Sequence, residues 1–110
     1  MTPEQRVAAF KKMVEQRPHE PFARYSLAMA HRSLGQGEQA AGELRQLALE
    51  IPGYVPTYLM WGQVLEALGR PEEAARAYRR GTEAATQAND EHARNELGQA
   101  LDQLQAQGAR

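Results

Sequence analysis

Three histidines, two serines in one segment and a run of acidic pairs are the residues of this chain whose types could do chemistry. His19, His31 and His92 lie far apart, and none has a second histidine one helical turn away, the spacing that lets two imidazoles reach one metal. No metal site and no metal cofactor are expected. The chain has no cysteine, so thiolate catalysis, disulfides and cysteine-bound metals are excluded. Ser26 and Ser33 have no glycine elbow around them, and no glycine run is arranged to cradle phosphate. Glu72 and Glu73 are adjacent, so on a helix they diverge rather than converge on one substrate; Glu72 instead stands one turn before Arg76, the spacing of a helix-surface pair. No catalytic residues are assigned, and an enzyme is not expected.

The charge pattern narrows the partners. Thirteen Lys and Arg stand against fourteen Asp and Glu, for a formal net charge of −1. That balance argues against nucleic acid and anionic membranes. The one basic cluster, Arg76, Arg79 and Arg80 with Arg70 nearby, is balanced by Glu72, Glu73 and Glu83 and reads as a solvated outer face. No apolar run nears the roughly 20 residues of a membrane span, and no leader-like stretch opens the chain, so a cytoplasmic location is expected. Arg outnumbers Lys eleven to two, which by association points to a bacterial source.

The elements that would position these side chains are helices. Nineteen Ala and eleven Gln against one Ile, four Val and four Thr favour helix over strand. Thr2 can cap a first helix with Pro3 in its first turn and Gln5 closing a capping box, and Pro18 stops it near Arg17. Pro21 opens a second helix that Gly35 ends. A third runs from near Glu38 to before Pro52. Pro56 opens a fourth closed by Gly69, Pro71 opens a fifth, and Asn89 or Asp90 caps a sixth reaching about Gln107. Ala23, Leu27, Ala30, His31 and Leu34 share one face of the second helix, and Tyr58, Trp61, Val64, Leu65 and Leu68 the matching face of the fourth. Both stripes read as core, with His31 a packed residue holding a hydrogen bond.

The helices repeat. A shift of 34 residues sets Leu34 on Leu68, Gly35 on Gly69, Glu38 on Glu72, Ala40 on Ala74, Ala41 on Ala75 and Arg45 on Arg79. A further shift toward the N-terminus sets Glu4, Phe10, Lys11 and Pro18 under Glu38, Leu44, Arg45 and Pro52.

These residues resemble the tetratricopeptide repeat, in which 34 residues form two antiparallel helices, A and B. The pattern reads Leu27-Ala28, Gly35, Ala40, Leu44, Ala48 and Pro52 in residues 21–54, and Tyr58, Trp61-Gly62, Leu65, Gly69, Ala74 and Tyr78 in residues 55–88. Residues 2–18 resemble a lone B helix, and residues 90–107 an A helix displaced by two residues, with Leu97-Gly98, Leu101 and Leu104 in place. Four positions depart: Arg24 stands where an aromatic is usual, His31 where Tyr is common, Gly81 where Ala is usual and Thr86 where Pro is usual. The missing proline and the displacement predict a longer fifth helix and a tilted sixth that acts as a cap, its outer face carrying Glu91, Arg94, Glu96, Asp102, Gln103 and Gln105.

The resemblance implies a single all-α domain, a right-handed superhelical solenoid of about six helices, that acts as a non-catalytic protein-interaction module. It implies a concave groove lined by Phe22, Tyr25, Ser26, Met29 and Arg32, then by Leu59, Met60, Gln63 and Glu66, and completed by Asn95, Gln99 and Asp102. Phe22, Tyr25, Met29 and Leu59 would supply apolar contacts, and Arg32, Gln63, Asn95 and Gln99 would orient a peptide or short helix of a partner protein. Family members that grip acidic chaperone tails use Lys and Asn in the groove; the matching places here hold Tyr25, Met29, Leu59 and Gln63, so a chaperone-tail adaptor is not expected. The alternative reading is a self-associating scaffold, a homodimer formed through the groove or by exchange of a terminal helix, with the first helix and its stripe Val7, Phe10 and Val14 the element to swap.

Overall fold

The helix ends follow from local chemistry. The computed structural model describes residues 1–108 and places six helices there: α1 Pro3–Gln16, α2 Pro21–Ser33, α3 Gly37–Glu50, α4 Pro56–Ala67, α5 Pro71–Gln87 and α6 Glu91–Gly108. Thr2 caps α1 in a full capping box: its hydroxyl accepts from the Gln5 amide at 3.1 Å, and Gln5 Oε1 accepts from the Thr2 amide at 2.8 Å. The α2–α3 and α4–α5 turns each need a left-handed residue, supplied by Gly35 (φ 74°) and Gly69 (φ 73°). The α5–α6 turn uses Asn89 (φ 56°) for the same purpose, and Asp90 then caps α6 by accepting from the Ala93 amide at 3.0 Å. So of the two candidate caps, Asp90 holds the helix and Asn89 makes the turn.

Packing is sequential. α2 packs on α3 and α4 on α5 as hairpins, with α3 against α4, α1 against α2 and α6 against α5 and α4. The result is an all-α helical-repeat solenoid. Its core runs through the middle of the stack: Ala28, Ala40, Leu44, Leu47 and Ala48 are wholly buried in the first hairpin, as are Ala74, Tyr78 and Ala85 in the second. Alternation of small and large residues sets how close the helices come. At Gly62 an added Cβ would lie 2.6 Å from Tyr78 Cδ1 and closer still to two other ring atoms. At Gly81 it would lie 2.5 Å from Tyr58 Cβ and 2.8 Å from a Leu97 methyl. The departure from Ala at position 81 is therefore what admits both Tyr58 and Leu97.

α5 extends for 17 residues against 14 for α3, so it does run longer before turning, as the missing proline predicts. α1 packs on α2 alone, and none of its residues is buried; Val7, Phe10 and Val14 are half-buried. His31 is buried, and its Nδ1 lies 2.7 Å from Glu43 Oε1 on α3. Two surface expectations need correction. The expected pair of Glu72 with Arg76 is not among the ion pairs of the described residues; at the start of α5 it is Arg70 that pairs, with Glu73 (Nη2 to Oε1 2.9 Å) and with Glu38 on α3 at 3.2 Å. Arg80 is not merely solvated: its guanidinium lies 5.5 Å from the Trp61 ring and 5.9 Å from the Tyr58 ring, a cation–π contact across α4 and α5.

Candidate functional site

The A-type helices α2, α4 and α6 line one side of the solenoid, and the cavity between them is about 300 Å³. Its lining is mainly apolar. Tyr25 comes from α2, Leu59, Met60 and Gln63 from α4, and Ala93, Glu96 and Leu97 from α6, with Asp90 and His92 at the α6 end. Proline geometry explains the placement: Pro56 starts α4 so that Leu59 and Gln63, one turn apart, face the same way. Arg32 closes the α2 side, donating to Met60 Sδ at 3.0 Å and to Gln63 Oε1 at 3.3 Å. A shallower cleft of about 190 Å³ continues along Leu59, Gln63, Glu96, Gln99 and Gln103.

The tyrosine is fixed by an aromatic neighbour. Tyr25 meets Tyr54 edge to face, with ring centroids 6.1 Å apart and planes at 67°. Burial pushes the Tyr25 phenol above its ordinary range, against the opposing pull of Arg32. The carboxylates Glu96 and Asp90 give the α6 end of the cavity a negative character; Glu96 lies 3.2 Å from His92 Nε2.

The eight residues expected to contact a partner do not all line one cavity. Tyr25, Leu59 and Gln63 line the cavity, Arg32 buttresses it, and Gln99 lies in its shallow extension. Asn95 is exposed and lines neither, because α6 turns Glu96 rather than Asn95 toward α4. Phe22 and Met29 are exposed on the α1 side of α2, next to Tyr25 on the helix surface, in clefts shared with α1: Met29 with Arg6, Phe10 and Ser26, and Phe22 with Met13 and Arg17. The cavity-lining residues that were not expected are Val55 and Pro56 at the start of α4 and Asp90, His92, Ala93, Glu96 and Leu97 at the α6 end. A signal for Glu96 lay in the two-residue displacement of the last helix, which sets Glu96 at the register place of Met60. Among the described residues, no group of three His, Asp or Glu side chains comes together as a metal-holding cluster, and no helix is long and apolar enough to cross a membrane.

The fold has close counterparts among solved structures. The solution structure of a tetratricopeptide repeat domain protein from Salinibacter ruber matches with a TM-score of 0.78 at 30% identity, over 81% of this chain and 90% of that one. The chain belongs to the tetratricopeptide repeat family. Two more distant tetratricopeptide-like folds match over more of its length. PcrH, solved in complex with the chaperone binding region of PopD, gives a TM-score of 0.87 at 17% identity, over 96% of this chain and 80% of that one. The TPR2B domain of yeast Sti1, solved in a complex with pHsp70, gives 0.85 at 17%, over 92% and 81%. No family model and no curated protein matches the chain.

Proposed function

We propose that this tetratricopeptide chain is a protein-interaction module that receives a segment of a partner protein in the cavity between α2, α4 and α6. It is organised as one domain, with a lone B-type helix at 2–18, two full repeats at 21–54 and 55–88, and a capping helix at 90–107. The carrying observation is the apolar cavity itself, about 300 Å³, ringed by Gln63, Glu96 and Asp90. Protein segments are the ligands of PcrH and of the Sti1 domain, which supports the same mode of use here. The helices that frame the cavity are held by buried side chains, so the scaffold loses little entropy when it binds.

The chemistry of the walls selects the ligand. Tyr25, Leu59 and Met60 accept one bulky apolar side chain, and methionine adapts to its shape. Gln63 and the Tyr25 hydroxyl can meet a peptide backbone. Glu96 and Asp90 favour a basic residue beside the apolar anchor, so an acidic chaperone tail is a poor ligand. Selection from a random peptide library displayed on phage tests this reading. The expected peptides pair an aromatic or aliphatic anchor with Lys or Arg, and Leu59→Glu abolishes their binding without loss of helix content. Glu96→Arg shifts the preference toward acidic flanks. Undiminished binding by folded Leu59→Glu, or selection of acidic peptides by the unaltered chain, overturns it.

A further inference from the structure

The two ends of the solenoid are the two halves of one repeat. In the repeat register α1 is a B helix that packs on α2, the A helix of the following repeat, and α6 is an A helix that packs on α5 and α4, so among the described residues neither meets a hairpin partner of its own repeat. The internal hairpin α4–α5 displays what each half lacks. There Gly62 of the A helix receives the ring of Tyr78 from the B helix, with no room for a methyl group between them. The residue of α6 at the place of Gly62 is Gly98, and an added Cβ there meets nothing within 4 Å. The residue of α1 at the place of Tyr78 is Phe10, which is only half-buried. A glycine inside a helix costs about 1 kcal/mol relative to alanine, and no contact within the chain calls for one at position 98. Gly42 is equally open, but no unfilled aromatic ring stands opposite it in the register.

The α1 end is built as a receptor. The clefts between α1 and α2 are about 220 and 450 Å³. Three of the five strongly exposed large hydrophobics among the described residues, Met13, Phe22 and Met29, lie on them. Charge agrees: α1 with its end residue Arg17 carries Arg6, Lys11, Lys12 and Arg17 against Glu4 and Glu15, whereas α6 with its cap carries Asp90, Glu91, Glu96 and Asp102 against Arg94. Opposite signs at the two ends steer unlike ends together and keep like ends apart.

We propose that copies of this chain join head to tail, α6 of one copy seating between α1 and α2 of the next so that Phe10 packs at Gly98. The junction rebuilds an A–B hairpin and continues the solenoid from copy to copy. It is a heterologous contact, so it extends into a chain unless the rotation closes it into a ring. The face of α6 that it uses, Gly98 and Leu101, lies away from Glu96 and Gln99 of the peptide cavity, so both sites can work together.

Light-scattering mass of the full chain from micromolar to millimolar concentration tests this. The mass is expected to climb from the single-chain 12.3 kDa with concentration. Gly98→Phe, whose Cβ meets nothing within 4 Å, fills the notch and should hold the mass at one chain; Phe10→Glu should do the same, with Met29→Glu as the receptor-side variant if Phe10→Glu loses helix content. An equimolar mixture of the tail-blocked and head-blocked variants should form a two-chain species and nothing larger. Leu59→Glu, in the peptide cavity, should assemble as the unaltered chain does. A constant 12.3 kDa throughout, assembly by Gly98→Phe equal to that of the unaltered chain, or a mixture with no two-chain species overturns the proposal.

Discussion

Replacing Gly62 with alanine separates helix propensity from packing, since the two effects have opposite signs there. Alanine in place of an interior glycine favours the α4 helix by about 1 kcal/mol. The new methyl, however, would lie 2.6 Å from Tyr78 Cδ1 and nearer still to Cε1 and Cζ, where carbon atoms normally rest at about 3.5–4.0 Å. Tyr78 cannot swing away: it is wholly buried, and its hydroxyl donates to Glu66. Overpacking of this kind costs about 3 kcal/mol at the upper end of its usual range, which leaves a net loss of about 2 kcal/mol. For a domain of this length that is a fall in Tm of about 9 °C, taking about 2.1 cal/mol/K of unfolding entropy per residue. Thermal and urea unfolding followed by circular dichroism at low protein concentration measure it. The first repeat suggests the compensating change, since the same two register positions hold Ala28 and Leu44, both wholly buried. Gly62→Ala combined with Tyr78→Leu should therefore lose less than the sum of the single variants, with a coupling of about 1–2 kcal/mol. A Gly62→Ala chain as stable as the unaltered one, or strictly additive losses, would refute the argument that this glycine is set by the ring.

Gly98→Ala is the counterpart, with the same propensity gain and no clash, so dilute protein should gain about 1 kcal/mol and melt about 4 °C higher. Arg80→Ala removes the guanidinium from the Trp61 and Tyr58 rings; it should cost about 0.5–1 kcal/mol and change the fluorescence of Trp61, the single tryptophan, while Arg79→Ala does neither. All four tyrosines have phenols raised above the ordinary value of 10.0 by burial, with Tyr78 pushed furthest because its hydroxyl also faces Glu66. A raised folded value means that the neutral phenol is favoured by folding. The associated stability is whole below pH 10 and declines as pH rises above it, so unfolding midpoints should drop there, and tyrosinate absorbance should lag that of the unfolded chain. Tyrosinate absorbance coincident in folded and unfolded protein would contradict this.

The sequence by itself determined the helices and their order. Caps, prolines and left-handed glycines act over a few residues, so Thr2, Pro21, Gly35, Pro56, Gly69 and Pro71 could be read as helix ends without any tertiary contact. The 34-residue register likewise exposed the family, because stacking repeats demands the same small and large residues at the same places. Part of the cavity was legible for that reason: Tyr25, Leu59 and Gln63 share one register face, and the structure brings them together. What only the tertiary structure decided is rotation and reach. The register cannot specify how far α6 turns once α5 runs to Gln87, so Glu96 rather than Asn95 enters the cavity. Nor can it specify where a long side chain ends. Arg80 crosses to Trp61 and Tyr58, Arg32 to Met60 and Gln63, and Arg70 to Glu38, each choosing among partners that only packing brings within reach. The flank of α2 shows the same division. Phe22 and Met29 have the spacing of groove residues, but α1 lies beside them, and that neighbour makes their surface a cleft of its own.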